Sequence, residues 1–99
     1  MTMMNKINVA IQVLPNSSEK DTYDLVDMAI AEIEKSGLKY KVCPFETVVE
    51  GTFEEILPLV QRIHETLYAN GTEKIMCYIK IQSSKDQDVF IEDKMHKYE

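Results

Sequence analysis

The chain has 99 residues, of which 44% are hydrophobic and 28% charged, with a formal net charge of −6. That length suits a single domain burying roughly 65% of the surface its unfolded form exposes, and the composition excludes a disordered chain. An acidic balance argues against nucleic acid or an anionic membrane as partner, because phosphate binding calls for a basic face.

No apolar run approaches the ~20 residues of a membrane helix. The opening MTMMNKINVAIQVL is too interrupted for a signal peptide. A cytoplasmic protein with reduced cysteines is therefore expected.

Ile7, Val9, Ile11 and Val13 alternate with Asn8, Ala10 and Gln12, which predicts a strand from Ile7 to Leu14. Pro15-Asn16-Ser17-Ser18 ends it with turn-forming residues. Asp21 or Thr22 is placed to cap a helix whose apolar stripe is Leu25, Val26, Ala29, Ile30 and Ile33. Gly37 follows, where a helix end calls for a left-handed backbone. Leu38, Tyr40 and Val42 then alternate with Lys39, Lys41 and Cys43, and the β-branched run Thr47-Val48-Val49 makes a second extended segment. Pro44 belongs at the bend between the two.

Thr52 and Glu55 have capping-box spacing ahead of a stripe formed by Ile56, Leu59, Val60, Ile63, Leu67 and Tyr68. Pro58 falls inside this pattern, where an interior proline costs ~3 kcal/mol, so a helix beginning at Leu57 or kinked there is expected. Lys74 to Gln82 reads as the last strand, with Ile75, Cys77, Ile79 and Ile81 inward. After a polar loop, Val89 to Tyr98 suggests a short terminal helix capped by Asp88, too short to stand without docking.

Strand, helix, strand, strand, helix, strand is the order of an α+β, ferredoxin-like βαββαβ sandwich. Right-handed crossovers place both helices on one face of a four-stranded antiparallel sheet, with the first and third strands central and the short C-terminal helix added. Alternation assigns Asn8, Gln12, Lys41, Glu46, Val48, Glu50, Tyr78 and Lys80 to the opposite face, which no helix is expected to cover. The apolar part of that face, with Ala10 and Met76, suits self-association about a two-fold axis. A homo-oligomer, dimer or tetramer, is expected, with the terminal helix clasping a neighbour.

Catalytic and metal patterns are not apparent. Cys43 and Cys77 lack metal-ligand spacing, as do His64 and His96. The three glycines fall at turns rather than in a phosphate-binding loop. Glu46 and Glu50 share a strand face roughly 13 Å apart, farther than the carboxylate pairs of glycosidases. A non-enzymatic binding protein without a cofactor or metal is the expectation.

The runs VLP at Val13–Pro15, SGLKYKVCPFETVVEG at Ser36–Gly51, IKI at Ile79–Ile81 and IEDK at Ile91–Lys94, together with His64, resemble the YkoF-like thiamine-binding proteins. The resemblance implies a ferredoxin-like fold, association into dimers or tetramers through sheets, and thiamine or its pyrimidine moiety as ligand. Phe45, Glu46, Thr47, Glu50, Tyr40 and Tyr78 lie in or beside the central hairpin and become candidate ligand contacts, joined by Asn16. A carboxylate can satisfy an aminopyrimidine edge or face the thiazolium, and an aromatic face accepts a cation for ~0.5–2 kcal/mol. Alternation sets Tyr40 and Tyr78 on opposite faces, so they cannot both line one pocket. The alternative expectation is an oligomeric regulatory or interaction module with an unidentified ligand.

Overall fold

Period-two alternation near the start of the chain becomes β1 (Ile7–Asn16) in the computed structural model, which describes residues 5–98. Residues 1–4 of the opening run considered above lie outside it. The chain continues through α1 (Thr22–Lys35), β2 (Lys39–Val42), β3 (Thr47–Gly51), α2 (Phe53–Ala69) and β4 (Lys74–Gln82). A one-turn α3 (Ile91–Met95) then runs into a 3₁₀ turn at His96–Tyr98. The strands form one antiparallel sheet in the order β2-β3-β1-β4, with β1 and β3 central. This is the expected ferredoxin-like arrangement. No helix among the described residues is long and apolar enough to cross a membrane.

The core lies between the sheet and the two long helices. Ile7, Val9 and Ile11 of β1 and Val49 of β3 meet Leu25, Ala29 and Ile33 of α1 and Ile56, Leu59, Ile63 and Leu67 of α2. Full burial of each large side chain is worth about 1.5–3 kcal/mol. Ile79 and Ile81 point to the same side, yet stay 38% and 47% exposed, because β4 is an edge strand that the helices do not cover fully.

Two local expectations are revised. β1 runs through Pro15, which pairs with Ile75. β3 pairs with β1 only as far as Ile11, so from Gln12 onward β1 has β4 as its sole neighbour among the described residues, and a proline is tolerated on such an edge. α2 begins at Phe53 rather than Leu57, because the capping box secures its first turn. Thr52 Oγ1 accepts the Glu55 N–H at 3.3 Å and Glu55 Oε1 accepts the Thr52 N–H at 2.9 Å. Pro58 sits inside the helix on its exposed side, where the carbonyl it leaves without an N–H can turn to water.

Gly37 adopts φ +75°, as its place after α1 requires. Gly51 is not a turn glycine: it ends β3, and a Cβ there would stand 3.1 Å from Glu55 Oε1 and 3.3 Å from Leu38 Cδ2.

The face opposite the long helices is not bare, which corrects the expectation that nothing in the chain covers it. The terminal segment folds back across one end of that face. Val89 N–H donates to the Lys6 carbonyl at 2.9 Å, and Asn8 Nδ2 donates to the Val89 carbonyl at 2.9 Å. Ile91 N–H donates to Glu50 Oε1 at 2.6 Å, leaving Ile91 buried. Asp88 caps no helix; it accepts the Lys6 N–H at 2.7 Å. The terminal helix thus clasps its own sheet, and Lys94 Nζ adds a bond to Gln82 Oε1 at 2.6 Å.

Candidate ligand-binding site

The ten residues of β1 outrun the five of β3, and the difference leaves a recess of about 230 Å³. Ile11 and Val13 border it, but so do Gln12 and Leu14, which point the other way. The recess therefore lies beside the strand, where a neighbour would continue the sheet. α1 forms one wall with Tyr23, Val26 and Ile30, and the bend between β2 and β3 forms another with Cys43, Pro44 and Phe45. That bend is closed by the Cys43 N–H donating to the Glu46 carbonyl at 2.9 Å.

Thr47 lies at the floor, 6% exposed, facing Ile11 and Val42 across the ladder. Two rings stand at the rim, Tyr23 at 78% exposure and Phe45 at 82%. No Lys, Arg or His is among the lining residues. Glu46 borders the recess, but its carboxylate turns to the other face of the sheet, where Lys80 Nζ lies 3.3 Å away. Such a slot, apolar and open along one strand edge with a hydroxyl at its base, suits a flat heteroaromatic group.

Of the residues singled out from sequence, Phe45, Glu46 and Thr47 come together here. The others do not join them. Tyr40 is half-buried against the edge of the core, on the helix side. Glu50 is committed to Ile91. Tyr78 is exposed on the opposite face, across from Gln12. Asn16 ends β1 beyond the recess, its carbonyl accepting the Glu73 N–H at 2.8 Å.

Tyr23, Val26 and Ile30 were missed as site residues. Their signal was present: α1 carries five apolar stripe positions, of which only Leu25, Ala29 and Ile33 are buried, so Val26 and Ile30 were left over for something else.

Both cysteines are free. Cys43 borders the recess, while Cys77 packs at the core margin on β4, where burial pushes its thiol pKa up. His64 is occupied within its own helix, Nδ1 lying 2.9 Å from the Val60 carbonyl. No group of three or more potential metal ligands occurs among the described residues.

Fold and recess together define a ferredoxin-like α+β domain with a lateral slot, and the relatives narrow it. A family profile described as thiamine-binding protein matches residues 9–99, and the chain belongs to that family. A UPF0045 protein of Clostridium perfringens is 33% identical over 95 residues, spanning 96% of this chain and 99% of the relative. A Bacillus cereus structure, described as the domain of unknown function DUF77, superposes with TM-score 0.92 at 31% identity, covering 100% of this chain and 95% of its own. A Thermotoga maritima structure, assigned provisionally to thiamine biosynthesis or salvage, superposes with TM-score 0.84 at 33% identity, covering 95% and 99%.

Proposed function

We propose that the recess beside β1 binds thiamine or its hydroxymethylpyrimidine precursor, and that the protein is a binder rather than a catalyst. The observation that carries this reading is Thr47: a threonine only 6% exposed, at the base of an apolar slot with Tyr23 and Phe45 at its rim. A flat aminopyrimidine fills such a slot and exchanges a hydrogen bond with the hydroxyl. A cationic thiazolium further out meets the faces of the rim rings. Membership of the thiamine-binding family and the Thermotoga maritima relative support the ligand class.

Calorimetric titration of the purified chain with thiamine and with hydroxymethylpyrimidine tests it. Saturable heat with either ligand is the expected result; silence with both would remove the reading.

A second reading, compatible with the first, concerns assembly. The face that α3 covers at one end leaves Leu14, Met76 and Tyr78 at 44%, 58% and 54% exposure, beside Val48 and Ala10. A contiguous apolar surface on so small a domain suits pairing with a second copy about a two-fold axis. Sedimentation at micromolar concentration decides it, since a lone species at 11.5 kDa is a monomer.

A further inference from the structure

We infer that the recess accepts only the unphosphorylated ligand and turns away its phosphate esters. This rests on the proposed function and adds a selection rule to it. A phosphate ester brings nearly two negative charges at neutral pH and needs cations or free amides to receive them. Among the described residues the recess offers no cation, since no Lys, Arg or His lines it.

The lysines of the hairpin and of β4 nearest to it lie elsewhere by alternation. Lys39, Lys41 and Lys80 belong to the opposite face of the sheet, and Lys80 is engaged by Glu46.

One feature of the recess could favour an anion. Thr22 and Tyr23, the first residues of α1, stand at its mouth, and a helix N-terminus attracts negative charge. That position is already acidic. Asp21 precedes the helix and Asp24 lies in its first turn, so an incoming phosphate meets two carboxylates beside the amides it would need. A cationic or neutral heteroaromatic meets no such opposition.

The test compares thiamine with thiamine monophosphate, and hydroxymethylpyrimidine with its phosphate, by calorimetry on the full chain. Each ester is expected to bind at least about tenfold more weakly than its parent. Two variants assign the cause. Asp21→Asn removes a carboxylate that makes no side-chain capping bond, and Tyr23→Lys places a cation at an exposed rim position. Both should narrow the gap by tightening the binding of each ester itself, which loss of a parent contact at Tyr23 would not do.

An ester that binds as tightly as its parent would overturn the inference while leaving the proposed function standing. A gap that neither variant narrows would overturn it equally, because the exclusion would not be electrostatic. Failure of both parents to bind would sink the inference together with the reading beneath it.

Discussion

The carboxylate of Glu50 accepts the backbone N–H of Ile91 at 2.6 Å, joining the end of β3 to a segment 41 residues downstream. Glu50 and Asn8 are partners in register, both nearly sealed from water, and each holds one residue of that segment. A buried carboxylate is tolerated when a hydrogen bond occupies it, and it becomes costly when its partner is lost. Glu50→Ala should therefore lower stability by ~1–3 kcal/mol and free the terminal segment. Urea denaturation measures the first effect, and faster exchange of the Ile91 amide reports the second. Glu50→Gln retains an acceptor and should lose less; unaltered Ile91 exchange in Glu50→Ala would contradict the assignment.

Thr47→Val tests the floor of the recess. Volume and β-branching are nearly kept, so the unfolding midpoint should barely move. Loss of one hydrogen bond to a neutral ligand group should weaken binding by ~0.5–1.5 kcal/mol. Titration of the variant beside the wild type gives the number, and equal affinities would take Thr47 out of the site.

Tyr78 tests assembly. A charge placed at the centre of a buried contact without a partner is strongly unfavourable. Tyr78→Asp should shift the sedimentation profile toward the monomer, while its circular dichroism stays that of the wild type. A wild-type profile for the variant would move the contact to another surface.

Cys77 supplies a pH dependence. Burial raises its thiol pKa, so between the unfolded and folded values the folded chain holds the proton that the unfolded chain has released. Its contribution to stability is then fully present below the unfolded thiol value, about 8.5, and is lost as pH rises from there through the folded value. Cys77→Ser should flatten that alkaline decline in urea midpoints measured across the window. An identical slope in the variant would assign the decline to other groups.

Where the physics is local, the sequence was legible. β4 occupies Lys74 to Gln82 as its alternation predicts, Gly37 has the left-handed backbone its position demands, and Thr52 with Glu55 forms the spaced box. Strand order followed from crossover handedness and helix sidedness. The start of α2 was misjudged because a proline penalty was weighed without the cap opposing it.

Docking of the terminal segment was not legible, since nothing near Ile91 in the chain announces a partner at Glu50. The site was half legible for a related reason. Alternation separates Tyr40 from Tyr78, but it does not say that the pairing of β3 with β1 ends at Thr47 opposite Ile11 while β1 continues. Where that pairing ends, Tyr23 of α1 and Thr47 of β3 border one recess.

The same mismatch makes hairpin length the control on the binding volume. β2 and β3 together contribute only nine residues of strand, and the bend joining them stops short of Gln12 and Leu14. Two more residues in each arm would extend the ladder opposite Gln12 and Val13, pair that part of the β1 edge and fill much of the slot. Two fewer would widen it into a groove open to solvent. Neither change reaches the stripe of α2, so relatives could alter the size of what they hold by editing one turn while the rest of the domain folds as before.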